Sequence, residues 1–259
     1  MKSNLPTRIV ILSDLHCGHQ WAICHPNFET HSLDDAAKVR KQLWKWFDSE
    51  IAKLSPIDVL VVNGDAIDGD GYRNSGIEQL TTDRNKQSEN AAAIIKHLKA
   101  KEIYLVKGTR AHTGLAEDFE ETLAKLVKPI AIETELHLTK RGTVLNFKHK
   151  GSASANPHAM SPAMARAAVW DELKAVRGIK PGDKPADITI RSHIHTYYNL
   201  ADEFTEIITT PALQYLSDYG ARNFEGWTTV GFIVIDVYDD HHITIPHLWR
   251  PKTLGKMYS

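Results

Sequence analysis

Short apolar runs alternate with longer amphipathic segments in the first half of the chain. Runs rich in β-branched residues and followed by turn residues predict strands at 8–12, 58–62 and 103–106. Apolar residues at helical spacing predict helices at 34–54, 85–100 and 115–126. The first half therefore predicts three successive strand–helix units.

After residue 130 the pattern changes to that of strands. Strands are predicted at 132–138, 143–148, 187–190, 207–210, 228–237 and 242–249, with one Ala-rich helix at 157–176. We find no repeat, low-complexity tract or linker, so the sequence predicts a single domain over 1–259. Two mixed sheets packed together, with helices outside, would satisfy this order of elements.

The amino-acid composition favours a metal-binding protein. The 259 residues are 42% hydrophobic and 24% charged, as in ordinary globular proteins, but they include 14 histidines, more than packing requires. A net charge of -1 offers no broad basic face for duplex nucleic acid. The two cysteines form no CxxC pair, no leader pattern opens the chain, and no apolar run approaches the roughly 18 residues of a membrane span. These features predict a cytoplasmic protein.

Three predicted strands end on side chains that bind metals. Asp14 and His16 follow the first strand, Asp65 follows the second, and His193 and His195 follow a later one. Ligands of open α/β sheets bind beyond the carboxyl ends of the strands. Each piece alone has an ordinary interpretation as a cap, a turn or a half-exposed histidine. Together they predict a shared metal site.

The ordered set of blocks resembles the calcineurin-like metallophosphoesterase family over nearly the whole chain. The blocks are Asp-x-His, Gly-Asp, a Gly loop with His112, His149 at a strand end, and His-x-His. The resemblance implies an α/β fold, a four-layer α/β/β/α sandwich of two mixed sheets. It also implies two divalent metal ions at the strand ends.

The resemblance implies a role for each of six residues. The first metal would be held by Asp14, His16 and His195, the second by His149 and His193, with Asp65 bridging both. Two cations about 3.5–4 Å apart need shared negative charge, and together they lower the pKa of a bound water. Mixed oxygen and nitrogen ligands favour Mn, Fe, Zn, Ni or Co over Mg or Ca.

The third block departs from the family pattern. Where the family usually has Gly-Asn-His, the chain has Gly108 and Thr109, then Arg110, Ala111 and His112. In one interpretation His112 returns from a wider loop as the acid or phosphate-binding group, with Thr109 or water near the second metal. In another His112 replaces Asn as a ligand, and in a third the block is degenerate and catalysis is impaired. With this Gly-Thr-x-x-His run the chain resembles members of the family from phage and prophage genomes.

Three further residues lie near these blocks. Arg110 offers a cationic fork for phosphate, and His19 follows His16 closely enough to contact substrate. Thr109 and these two are the predicted substrate contacts. Asp68, after the Gly-Asp block, is interpreted as a turn carboxylate rather than as support for the site.

The resemblance implies hydrolysis of a phosphate ester by metal-activated hydroxide. We favour a phosphodiesterase acting on nucleotides or short nucleic acid, since the near-neutral charge argues against processive binding to long duplexes. The alternatives are a phosphomonoesterase, acting on protein or small molecules, and a non-catalytic scaffold of this fold that binds a partner protein. Oligomeric state is left open by the sequence.

Overall fold

The computed structural model describes residues 5–71, 76–114, 118–151, 157–179, 184–215 and 228–251. The helices are α1 (Asp35–Leu54), α2 (Arg84–His97), α3 (Arg110–Thr113), α4 (Phe119–Val127) and α5 (Pro157–Val176). The strands are β1 (Thr7–Leu12), β2 (Val59–Asn63), β3 (Glu102–Val106), β4 (Ala131–Glu133), β5 (Leu136–Lys140), β6 (Thr143–Lys148), β7 (Ile188–Arg191), β8 (Tyr198–Ala201), β9 (Glu206–Thr209), β10 (Val230–Val237) and β11 (His242–Trp249).

These strands form two mixed sheets. The first has the order β11-β10-β1-β2-β3-β4, in which β1 to β4 run parallel and the other two pair antiparallel. The second has the order β5-β6-β7-β9-β8, with β6, β7 and β9 parallel. Parallel strands that are buried on both faces account for the continuous apolar runs in the sequence.

Alternate side chains of each strand divide the core into layers. Ile9 of β1 and Phe147 of β6 lie between the two sheets. Val10 of β1 faces the other way, against Phe47 of α1. Met164 of α5 covers Ile207 on the outer face of the second sheet. The order is therefore helix, sheet, sheet, helix, as the resemblance implied.

The helices lie on the outer faces because each long helix buries its apolar stripe against a sheet. In α1 the buried residues Val39, Leu43, Phe47 and Ile51 recur at helical spacing, and Asp34 caps its first turn. No helix in the described part of the chain is long and apolar enough to cross a membrane.

Most predicted elements are confirmed, with differences at β4 and β5, at β8, at α3 and at the start of α4. The single strand predicted at 132–138 is two strands, β4 and β5, in different sheets, because the chain turns without Gly or Pro at 134–135. The edge strand β8 was not predicted, since it is only half buried and has no apolar run. The helix predicted at 115–126 corresponds to α4, while 115–117 lie outside the described residues.

The carboxyl ends of β1, β2, β6 and β7 meet at one edge of the sandwich. There Ser13 Oγ lies 2.6 Å from Thr210 Oγ1, so the two sheets are joined just beyond β1. Asn63 Nδ2 donates to Ser192 Oγ at 2.6 Å, which makes a second buried link. Residues that follow these four strands are therefore brought together, although they are far apart in sequence.

Candidate metal centre

The backbone is left-handed at five of the six predicted ligands. The φ angles are 48° at Asp14, 43° at His16, 47° at Asp65, 77° at His193 and 55° at His195. Non-glycine residues seldom adopt this conformation, which costs about 1–3 kcal/mol each and clusters at functional sites. Each strand thus ends in a tight turn that brings a carboxylate or an imidazole to the shared edge.

The structure brings together the first predicted ligand group. His195 Nε2 lies 3.3 Å from Asp14 Oδ1, and His16 Nε2 lies 3.8 Å from the same oxygen. The two imidazole nitrogens are 3.1 Å apart. One carboxylate oxygen and two imidazole nitrogens therefore converge on a single point, as the ligands of one ion would.

The second predicted group also converges. His149 Nε2 lies 2.9 Å from Asp65 Oδ2, and His193 Nδ1 lies 3.9 Å from it. His149 Nδ1 donates to the carbonyl of Asn63 at 2.7 Å, which fixes the proton there and turns Nε2 toward Asp65. A Cβ at Gly64 would lie 2.4 Å from the His149 ring, so glycine is required where the ring crosses the backbone.

Asp14 lies between the two groups and has an unsatisfied oxygen. Its Oδ1 is 3.9 Å from His149 Nε2 as well as near the first group. Oδ2 accepts from the backbone of His193 at 3.2 Å, whereas Oδ1 is buried with no hydrogen-bond donor among the described residues. A buried anionic oxygen without a donor is costly unless a cation contacts it. The donor set and this atom fit divalent metal ions.

The charges of the cluster favour cations. Burial would raise the pKa of Asp14, but His195 and His149 outweigh it and lower that pKa to about 2. Burial also opposes ionisation of Asp65, yet His149 holds its pKa well below the ordinary range. The pKa of His149 is raised to about 10 because Asp65 and Asp14 overcome its burial. A metal ion bound here would displace the His149 proton.

Asp68 supports the first group, contrary to the turn interpretation. Its Oδ1 accepts from His16 Nδ1 at 2.8 Å, and the carboxylate also accepts from Gln79. Burial and the nearby His112 lower the pKa of His16 to about 4, so its ring is neutral, with Nδ1 donating to Asp68 and the lone pair of Nε2 directed at the cluster. Asp68 therefore orients His16 toward the cluster.

Asp68→Ala is expected to lower affinity for the first metal ion by about 10–100-fold, because His16 loses the acceptor that fixes its tautomer. Competition with a chromophoric chelator measures the loss. Asp70→Ala, at an exposed carboxylate two residues later, is the matched control. Equal affinities for the Asp68 variant and the wild type would return Asp68 to a role in the turn.

The third block, which departs from the family pattern, holds Asp65 in place. Thr109 donates to Asp65 Oδ1 from its backbone N at 2.6 Å, and its hydroxyl lies 3.2 Å from both carboxylate oxygens. A Cβ at Gly108 would lie 2.2 Å from Asp65 Oδ1, so glycine is required for this approach. Thr109 thus contacts the carboxylate of Asp65, and its contact with substrate stays a prediction.

His112 reaches the cluster from the short helix α3. Its Nδ1 donates to the carbonyl of Asp68 at 2.8 Å, and its Nε2 lies 4.0 Å from Asp65 Oδ2. Its ring meets that of His16 edge to face at 4.5 Å. The single turn of α3 thus compensates for the two-residue displacement in sequence. From this position Nε2 could serve as the acid, as the phosphate-binding group or as a further metal ligand, the three roles considered for His112.

The other two predicted substrate contacts are placed differently. Arg110 is exposed at the start of α3, beside His112. His19 is buried, its Nδ1 accepts from the backbone of Trp21 at 3.1 Å, and its Nε2 lies 3.9 Å from Glu78. The His19 imidazole is therefore enclosed by protein, and the substrate contacts of His19 and Arg110 both stay predictions.

Glu120 is part of the site and was missed. Both of its carboxylate oxygens accept from the backbone of Gly108, at 2.8 and 2.9 Å. Burial, with the charges of Asp65 and Asp118 adding to it, outweighs this hydrogen bond and raises the pKa of Glu120 to about 8. In the sequence it resembles any acidic residue in the first turn of a helix, so no pattern distinguished it.

The contribution of Glu120 to the stability of the metal-free protein is expected to fall as pH rises from 4.5 to about 8. In this window the folded protein keeps the Glu120 proton, which the unfolded chain releases above the ordinary pKa of 4.5. Glu120→Gln mimics the protonated form, so its stability advantage over the wild type should grow from near zero at pH 4.5 to a few kcal/mol near pH 8. Urea unfolding at pH 5 and pH 8 measures it, with Glu121→Gln at the exposed neighbour as control. Parallel pH profiles for the wild type and the Glu120 variant would contradict this.

The fold is the four-layer α/β arrangement of the metallophosphoesterase type. No protein-family model and no curated protein matches the sequence. Among solved structures, Vps29 complexed with Zn²⁺ from Entamoeba histolytica is 11% identical, with 93% of this chain and 92% of that chain aligned and a TM-score of 0.50.

Two phosphoesterases are among the other solved structures that align. A novel archaeal phosphodiesterase is 13% identical over 93% of this chain and 99% of that chain, with a TM-score of 0.47. A predicted phosphoesterase from Streptococcus pneumoniae is 11% identical over 93% and 98%, with a TM-score of 0.36. At these identities the likeness concerns the fold alone.

Proposed function

We propose that the protein is a phosphoesterase that depends on two divalent metal ions. The observation that carries the proposal is the meeting of two ligand groups at one sheet edge, with the unsatisfied Asp14 Oδ1 between them. In this proposal the first ion is held by Asp14, His16 and His195. The second is held by His149 and His193. Asp65 contacts both.

The chain's own residues keep this donor set in place before any ion binds. Asp68 orients His16, the Asn63 carbonyl orients His149, and Thr109 holds Asp65. When bound, two such cations polarise the phosphoryl oxygens and lower the pKa of a water between them. Mixed carboxylate and imidazole ligands favour Mn, Fe, Zn, Ni or Co.

His112 is assigned to the leaving group or the phosphate. Because Nδ1 is engaged with the Asp68 carbonyl, only Nε2 is available toward the cluster. A protonated Nε2 can donate to a phosphate oxygen or to the departing alkoxide. The side chains of His112, His193 and His195 are 25%, 35% and 23% exposed, so this is the side from which substrate reaches the ions.

The favoured substrate is a phosphodiester in a nucleotide or a short nucleic acid. A diester carries a single negative charge, which the proposed cations and His112 suffice to balance. The exposed Arg110 adds one cation at the rim, while a net charge of -1 provides no track for a long duplex.

Cysteine chemistry supports a reducing compartment. Cys17 and Cys24 are both buried free thiols, and burial raises the pKa of Cys24 to about 12. Unpaired, unreactive thiols of this kind are typical of cytoplasmic proteins, which is where we place the enzyme.

The proposal is tested by measuring bound metal and then comparing two substrates with Mn²⁺ added. Bis-p-nitrophenyl phosphate reports diester hydrolysis, p-nitrophenyl phosphate reports monoester hydrolysis, and Asp65→Asn serves as the blank. Turnover of the diester alone supports a phosphodiesterase. Turnover of the monoester alone replaces it with a phosphomonoesterase. No turnover of either at full metal occupancy would overturn the enzymatic proposal in favour of a partner-binding scaffold.

A further inference from the structure

A polar pocket lies beneath α5. It is on the outer face of the second sheet, the face that points away from the core between the two sheets. Phe147 and Ile190 point into that core, so the next residues, Lys148 and Arg191, project toward α5. The helix contributes Trp170, among others, to the wall. The pocket has a volume of about 160 Å³, which holds a small polyatomic ion with some water.

Arg191 is the central group of this pocket. The residue is 5% exposed, and its Nη1 donates to the carbonyls of Ile190 at 2.7 Å and Asn146 at 3.3 Å. Its Nε and Nη2 have no hydrogen-bond acceptor among the residues described. A Cβ at Gly151 would lie 2.4 Å from Arg191 Cδ, so the backbone there packs on the side-chain stem and fixes it. These two donors open onto the pocket, where they can donate to a bound anion.

The acidic groups nearby are already engaged. Glu135 accepts from Asn146 Nδ2 at 3.0 Å, and Lys174 and Lys148 lie 3.4 and 3.7 Å from its Oε2. Asp171 Oδ2 accepts from the backbone of Ala186 at 2.7 Å. Asp171 Oδ1 lies 3.7 Å from His137 Nε2, and no hydrogen bond joins either carboxylate to Arg191 among the residues described.

A metal ion is the less suitable occupant. Ligand atoms of Glu135, His137 and Asp171 lie within 4.8 Å of one another, which resembles a ligand set. However, His137 Nε2 already accepts from Asn146 Nδ2 at 2.8 Å. The cationic Lys148 and Lys174 lie beside Glu135, and their charges oppose a divalent cation.

We infer that this pocket binds a small oxyanion of the phosphate class, separately from the metal centre. The guanidinium of Arg191 offers a fork that matches two oxygens of such an ion, and Lys148 and Lys174 add charge at its edge. Three cationic side chains face two carboxylates in the lining, so the pocket favours an anion. The inference does not rest on the proposed hydrolysis.

Titration of metal-free protein with inorganic phosphate tests the inference. Metal is removed on a chelating resin, and binding is followed by calorimetry and by the shift in thermal unfolding. Lys148→Met should weaken binding by about tenfold, and Arg191→Met should abolish it. Lys150→Met is the matched control, since it removes the same charge from an exposed neighbour that does not line the pocket. Lys174→Met carries the test if the Arg191 variant does not fold.

Several outcomes would overturn the inference. One is equal weakening by Lys148→Met and Lys150→Met, which would indicate non-specific attraction. Another is binding of phosphate only after metal is restored, which would place it at the metal centre. Preference for acetate over phosphate would exclude the phosphate class. Binding of Zn²⁺ that survives Asp65→Asn and is lost in Glu135→Gln would make the pocket a metal site.

Discussion

Asp65→Asn is expected to lower phosphodiester hydrolysis by about three orders of magnitude and to release bound metal. Asp65 Oδ2 lies 2.9 Å from His149 Nε2, 3.9 Å from His193 Nδ1 and 4.0 Å from His112 Nε2. In the proposed centre it is the anion that the two ions share. A neutral amide leaves the repulsion between two cations uncompensated, a loss of several kcal/mol, or about 10³ in rate.

The fold should survive this change, because the amide oxygen of asparagine can still accept from the backbone of Thr109. Elemental analysis of bound metal and the diester assay, run on the same preparation, measure both effects. Asp240→Asn, at an exposed carboxylate between β10 and β11, should leave both unchanged. A variant that kept two ions and normal turnover would remove Asp65 from its proposed position between them.

His112→Ala is expected to lower turnover by about 10²–10⁴-fold while metal content stays constant. His112 Nε2 is directed at the cluster, and its Nδ1 is fixed by the Asp68 carbonyl. Removal of a proton donor should slow diesters with a poor leaving group more than those with p-nitrophenolate, which departs readily without protonation. The ratio of the two losses therefore reports proton donation rather than a general disturbance.

His241→Ala provides the control, since this histidine is exposed, pairs with Asp240 and stacks on Tyr238 in its own turn. Loss of one metal ion from the His112 variant would instead show that the imidazole replaces the asparagine of the family pattern as a ligand. Unchanged turnover with both substrates would support the hypothesis that the third block is degenerate.

The fold was predictable wherever one pattern covered a whole element. The strand β6, the helix α5 and the strand β11 have the bounds that the sequence predicted. Buried strands are unambiguous because both faces are apolar, as in β2. The strand β8 is half buried and has no apolar run, so the sequence did not predict it. The boundary between β4 and β5 depends on which sheet each strand joins, and a local sequence pattern does not contain that information.

The candidate site was predictable in its residue types but not in its supports. The predicted metal ligands could be recognised in the sequence because an Asp or a His follows the end of an apolar run. Asp68 and Glu120 could not, since a carboxylate in a turn or in a helix's first turn has an ordinary function. The partner of Asp68, His16, is 52 residues away, and only the packing of β1 against β2 brings them together. Likewise His112 reaches the cluster through α3, a helix too short to predict.

The left-handed turns at the strand ends have a consequence for how such a chain changes over time. Glycine would relieve the backbone at all five positions, yet each carries a carboxylate or an imidazole. If a descendant lost its need for metal, the easiest substitutions would be those that relax the turns, and they would erase the ligands one by one. The same backbone would remain, held by the pairing of the strands. In such proteins an empty, glycine-lined edge would then mark where an ion centre had once been.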